Sequence, residues 1–176
     1  MIELLENLDV LRSPLLSLNG LAISGVGYGS KASDFPIERV VEVSLAPIVK
    51  GQSFSSEQGH VYRDGSGREL SLVEVITDVL EHGGVLHFSE KVSFKIEDGA
   101  VAGFAIYGTH LDAFQHITSQ EHLVKEFGRP DVVEPNEAYG DLMGYFNFWN
   151  ASQKLVAWDD WKKSIYLVNI GMKRSG

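Results

Sequence analysis

Cysteine is absent from all 176 residues, which excludes a disulfide framework, a thiol nucleophile and a thiolate metal site. Positive charge is scarce: 15 Lys and Arg stand against 24 Asp and Glu, a formal net charge of −9. Such a chain repels phosphate backbones and anionic lipid at long range, so the expected partner is neither nucleic acid nor a membrane surface but a basic protein. Long apolar runs are missing too, and none approaches the roughly 20 residues of a membrane-spanning helix. The stretch Met1-Ile2-Glu3-Leu4-Leu5-Glu6 carries acids where a signal peptide needs a basic region, and the compartment expected is the cytoplasm.

Cofactor signatures are lacking as well. Gly25-Val26-Gly27-Tyr28-Gly29 follows a strand candidate but lacks the glycine spacing of a dinucleotide fingerprint and the helix that should open behind it; it reads as a close-packed strand with a turn. There is no Gly-Lys-Ser/Thr phosphate loop and no Gly-x-Ser-x-Gly elbow, and Gly65-Ser66-Gly67 is a turn. No cofactor is expected.

What is present describes one α+β domain over residues 1–176. Ile2, Leu4, Leu5, Leu8 and Leu11 have roughly helical spacing, stopped by Ser13-Pro14. Residues 21–28 and 37–49 are rich in small and β-branched side chains and read as strands, and the glycine-bearing stretch 52–68 reads as a loop or loose hairpin. From Ser71 to His82 the spacing predicts a helix, with Ser71 and Glu74 as capping box, Leu72, Val75, Ile76, Val79 and Leu80 as apolar stripe, and Gly83-Gly84 as left-handed cap. Val92, Phe94 and Ile96 then alternate with polar residues up to Asp98-Gly99, a two-residue turn that pairs Ile96 with Val101 and Phe94 with Gly103. A second helix is predicted from Ser119 to Phe127, boxed by Thr118 and Glu121 and stopped by Gly128-Arg129-Pro130. Residues 142–149, 155–158 and 165–170 complete a meander, giving an antiparallel sheet of hairpin plus C-terminal meander with two or three helices on one face. Tyr28-Gly29-Ser30 with Phe35 recurs as Tyr107-Gly108-Thr109 with Phe114, as a duplicated strand–loop–helix–strand unit would leave, or a chance match over a few residues.

Three clusters carry candidate chemistry. His110, Asp112 and His116, with Glu121 and His122 nearby, offer imidazole and carboxylate for a divalent metal or for acid–base hydrolysis, provided that Asp112 and His116 share a helical face. Asp131, Glu134, Glu137 and Asp141 place four carboxylates in what reads as an irregular connection. Eight of the 18 aromatics lie between Tyr139 and Tyr166. Among these, Tyr139, Trp149, Trp158 and Trp161, with Asp141, Asp159 and Asp160, compose an acidic, aromatic recognition patch, although rings on alternate positions must also fill a core. Trp149 and Trp158 could equally stack on a carbohydrate.

The order of helix, Phe127-Gly128-Arg129-Pro130-Asp131 and meander, together with the acidity and the Tyr-Gly loops, resembles small bacterial α+β domains of uncharacterised function, some of them immunity-type proteins that neutralise toxins. The resemblance covers residues 91–170 and implies a non-catalytic inhibitor that covers a basic partner. It carries over no residue's role. The expectation is thus a binding protein whose contact region is Tyr139, Asp141, Trp149, Trp158, Asp159, Asp160 and Trp161, with a hydrolase at His110, Asp112 and His116 or a small-ligand binding domain as alternatives.

Overall fold

The computed structural model describes residues 1–50, 54–56 and 59–171. The chain opens with β1 (Ile2–Glu3), two 3-10 turns (Leu4–Glu6 and Leu8–Arg12) and a hairpin of β2 (Leu21–Ile23) and β3 (Val26–Gly27). After 3-10 turns at Ala32–Asp34 and Ile37–Arg39 come β4 (Val40–Ser44), β5 (Phe54–Ser56), β6 (Gly59–Arg63) and β7 (Glu69–Leu70). Helix α1 (Leu72–His82) leads into β8 (Gly84–Phe88), β9 (Val92–Glu97) and β10 (Ala100–Tyr107). A 3-10 run (Gly108–Phe114) and α2 (Gln120–Phe127) precede β11 (Val132–Ala138), β12 (Asp141–Trp149), β13 (Lys154–Asp159) and β14 (Ser164–Ile170). The class is α+β with antiparallel sheet. The chain divides into two compact units, Met1–Tyr28 with Gly103–Gly176, and Gly29–Ala102.

In the unit Gly29–Ala102, β9, β8 and β4 pair antiparallel, with Val43 opposite Leu86 and Leu86 opposite Phe94. These side chains are buried, and Phe35, Phe88 and Phe94 meet with ring centroids 4.6–5.6 Å apart. Helix α1 packs on β4, β8 and β9. It forms where the local signals place it: Ser71 accepts from the Glu74 backbone N–H at 3.2 Å and Glu74 from that of Ser71 at 2.7 Å, while Val75, Ile76 and Val79 are buried. Its end differs from the expected cap. Gly83 has φ 96° with ψ 163°, outside the left-handed helical region, and Gly84 (φ 145°) already begins β8. A Cβ on Gly84 would lie 2.9 Å from Val79, so the glycine pair lets the strand fold straight back on the helix.

Part of the expected loop 52–68 lies outside the described residues. Within them β6 pairs with β5 and β7, and Asp64 closes the Asp64-Gly65-Ser66-Gly67 turn by accepting from the Ser66 N–H and hydroxyl and the Arg68 N–H. Tyr62 is buried, and its hydroxyl accepts from the Val43 N–H of β4 at 2.8 Å.

In the other unit the large sheet runs β11-β12-β13-β14 and then β10, whose Phe104–Tyr107 pair with β14, all antiparallel, while β1 and β2 pair parallel in a small separate sheet. Trp149, Trp158, Val156, Val168, Ile170 and Phe127 fill its core. Helix α2 reaches the sheet through Phe127 against Trp149 (6.1 Å) and through the side-chain amides of Gln120 and Asn147. Gly144 sits where a Cβ would fall 1.8 Å from the Trp158 carbonyl oxygen, beside a register shift at Ala157/Trp158, so no side chain fits there.

Three expectations in this unit need correction. The N-terminal leucines form 3-10 turns instead of one helix: Asn7 breaks the run (φ −137°, ψ 50°) and gives its amide to the Glu3 carbonyl at 3.1 Å. The cap of α2 is Ser119, which accepts from the His122 N–H at 3.0 Å, one residue beyond Thr118. The acidic connection Asp131–Asp141 is largely strand β11, paired with β12 despite Pro135, because it is the edge strand and tolerates a missing donor there.

Candidate functional site

The candidate site lies where two turns of the C-terminal sheet come out at the same end. In the first, Tyr139 (φ 54°) and Gly140 (φ 83°) join β11 to β12, a two-residue hairpin with both central residues left-handed. Tyr139 is fully exposed. In the second, Asp159 Oδ1 accepts from the backbone N–H groups of Trp161 and Lys162, both at 2.9 Å. The Asp160 N–H donates to the Met143 carbonyl at 2.8 Å, and Asp160 Oδ1 accepts from Lys163 Nζ at 3.1 Å and Trp158 Nε1 at 3.3 Å. Those bonds, the one from Lys163 foremost, hold the Asp160 carboxyl below its ordinary value. Trp161 is 67% exposed while its indole N–H donates to the Leu142 carbonyl at 2.9 Å. The ring is therefore presented to solvent in a fixed pose.

Of the seven expected contact residues, this end assembles Tyr139, Asp141, Asp159, Asp160 and Trp161. Trp149 and Trp158 leave the set, because both are buried. Alternation along β12 and β13 turns them into the core under α2, where neither can meet a protein surface or stack on a sugar. Half-exposed Leu142 and Tyr166 join the patch; the Tyr166 hydroxyl accepts from the Asn136 side chain at 3.4 Å, and burial raises its phenol above the usual value.

The expected histidine site is not brought together. The run of residues 108–114 is 3-10 and caps at Gln115, so His116 lies beyond it and no helical face carries Asp112 and His116 together. Asp112 is exposed, and the histidines meet another carboxylate: His116 Nε2 lies 2.9 and 3.0 Å from the two Glu126 oxygens, and His122 Nε2 lies 3.0 Å from Oε1. Arg12 Nε stands 3.6 Å from the same carboxylate. Burial alone would raise the Glu126 carboxyl; the bond and charge of His116, the charge of Arg12 and the bond of His122 outweigh it and hold it low. Among the described residues no three His, Asp or Glu are arranged to hold a metal ion. Two other candidate groups are likewise committed to the backbone. Asp131 Oδ2 accepts from the Asn150 N–H at 2.6 Å, and the Glu3 carboxylate accepts from Ser24 and Gly25 N–H at 2.7 and 3.1 Å, so a carboxylate of the chain itself occupies the start of the glycine run.

Two polar arrangements gave no signal in the sequence. Lys154 is buried, donates to the carbonyls of Leu11 (2.5 Å) and Ser13 (2.9 Å), and lies 4.7 and 5.4 Å from the Trp149 and Phe127 ring centroids. Burial pushes its amine down to about 8. With Ser152, whose hydroxyl donates to the Pro14 carbonyl, it fastens residues 11–14 to the sheet. In the unit Gly29–Ala102, Ser44, Glu42, His60 and His87 form a second cluster from residues distant in sequence.

No protein-family model matches the chain, and no curated protein or solved structure is significantly similar to it. No helix among the described residues is long and apolar enough to cross a membrane.

Proposed function

We propose that this chain is a binding protein that covers a basic partner protein in the cytoplasm, as immunity-type inhibitors do, through a contact surface with no catalytic chemistry of its own: Tyr139, Asp141, Asp159, Asp160 and Trp161. The observation that carries this reading is the exposure of two large aromatic side chains on adjoining turns, each held by backbone geometry and set among carboxylates. Tyrosine and tryptophan contribute large contact area with few rotatable bonds, so a pre-posed ring loses little entropy on binding. A tyrosine in the left-handed region costs roughly 1 kcal/mol, and among the described residues the fully exposed Tyr139 gains no burial to offset it; a partner would. The net charge of −9 supplies long-range attraction to a basic surface and speeds encounter.

The finer fold reading belongs with this one. We take the two units as copies of a single strand–loop–helix–strand element with its helix on one sheet face. In support, Gly29 and Gly108 both have positive φ (79° and 69°), Phe35 and Phe114 are both buried, and Ser71 and Ser119 both cap the helices that follow.

A photo-crosslinking residue in place of Trp161, expressed in the cells that make the protein, tests the reading, with exposed Val73 of α1 as the control position. One basic protein joined from 161 and not from 73 is the result expected. Equal crosslinking from both positions, or none from 161, rejects the placement.

A further inference from the structure

Strands β4 and β8 pair with Glu42 opposite His87 and Ser44 opposite Val85. Alternation sets Glu42 and Ser44 on one face and buried Val43 on the other; His87, opposite Glu42, shares the face of the two polar residues. There Ser44 Oγ lies 2.8 Å from His87 Nε2. Glu42 Oε2 lies 3.3 Å from His60 Nε2, and His60 Nδ1 is sealed from solvent with no hydrogen-bond partner among the described residues. Burial pushes His87 below the ordinary imidazole value and the charge of His60 adds to this, while Glu42 pulls the other way. At neutral pH the His87 ring is therefore uncharged and able to accept a proton.

The backbone beside Ser44 adds an independent observation. Leu45 has φ 57° and is 80% exposed. A bulky aliphatic residue in the left-handed region costs about 1 kcal/mol or more, and an exposed side chain gains nothing from burial to offset it. Backbone strain clusters at functional sites, and a serine hydroxyl within hydrogen-bond reach of an uncharged imidazole is the pairing that activates a nucleophile.

We propose that Ser44 and His87 form a nucleophile–base pair that transfers the acyl group of a small carboxylic ester, with Glu42 steadying the imidazolium. Ser44 Oγ bonds to the ester carbonyl carbon as its proton passes to His87 Nε2. The bond from that carbon to the alcohol oxygen breaks, and His87 returns the proton to the departing alcohol. Water, giving a proton to His87, then attacks the acyl carbon; the carboxylic acid leaves and Ser44 recovers its proton from the imidazole. No electrons are gained or lost overall.

Incubation of the full chain with p-nitrophenyl acetate, followed by peptide mapping of the acetylated residue, tests the proposal. The expected result is an acetyl group on Ser44 and turnover that falls on the order of 100-fold in Ser44→Ala. His87→Gln keeps a polar partner for the serine but cannot act as base; it should lose turnover to the same extent with unchanged circular dichroism. Acetylation of another residue in the wild type, or Ser44→Ala turnover equal to wild type, overturns the proposal. The mapping is done on unaltered protein and decides the matter even where a variant fails to fold.

Discussion

The indole N–H of Trp161 donates to the backbone carbonyl of Leu142 at 2.9 Å, tying the β13–β14 turn to β12 while most of the ring remains in solvent. Under the proposed function this ring is a contact residue, since most of it stays in solvent and gains nothing within the fold. Trp161→Ala is therefore expected to change stability by no more than about 1 kcal/mol, measured by urea denaturation, while weakening partner binding by at least about tenfold. A large loss of stability would instead place the ring in the fold.

Tyr139 separates stability from binding more sharply. Asparagine tolerates the left-handed region better than tyrosine, so Tyr139→Asn should raise the melting temperature by a few degrees, from a gain of a few tenths of a kcal/mol to about 1 kcal/mol. The same variant should bind the partner more weakly. Calorimetry and a binding titration on one preparation check both halves.

Much of the fold was legible because its signals are local. The capping box of α1 and the Asp98-Gly99 turn lie within a few residues of what they organise, and Asp98 (φ 51°) and Gly99 (φ 74°) adopt the expected turn. Strand β8 was missed because Gly83-Gly84 read only as a helix stop, and β11 because Pro135 and two glutamates disguise an edge strand. The site was half legible. Aromatic density marked the region, but alternation alone could not say which parity faces α2, and so Trp149 and Trp158 were counted outside when they are inside. The histidines were seen without their partner, since Glu126 lies ten residues beyond His116. Ser44 and His87 are 43 residues apart, and only the pairing of β4 with β8 brings them together.

Lys154 makes stability depend on pH in an uncommon direction. Its folded value of about 8 lies below the 10.5 of an exposed lysine, so between these values the unfolded chain binds a proton that the folded chain has released. Stability therefore rises with pH across this window, by at most about 3 kcal/mol from this group. Tyr62 and Tyr166, raised above their ordinary 10.0 by burial, act in the opposite sense at the upper end. The comparison with Lys154→Met isolates the lysine: denaturation midpoints from pH 7.5 to 10 should climb relative to the variant. Parallel curves would mean that the amine stays charged throughout.

Gly144 should tolerate no side chain. The Cβ of Gly144→Ala would fall 1.8 Å from the Trp158 carbonyl oxygen, and relief requires moving β12 or β13 at the base of the patch. A loss of more than about 2 kcal/mol is expected, read from chemical denaturation, with Gly140→Ala as a comparison strained only by its φ of 83°.

We propose that the exposed Tyr139–Trp161 end binds a basic protein. The most direct measurement is quantitative retention from the native lysate on immobilised wild-type protein and on the folded double variant Tyr139→Asn/Trp161→Ala, at low and at moderate salt. One basic protein is expected to be held in stoichiometric amount by the wild type, less firmly as salt rises, and at least about tenfold less by the variant. Equal retention of that protein by both forms, or no protein held by the wild type at either salt, would contradict it.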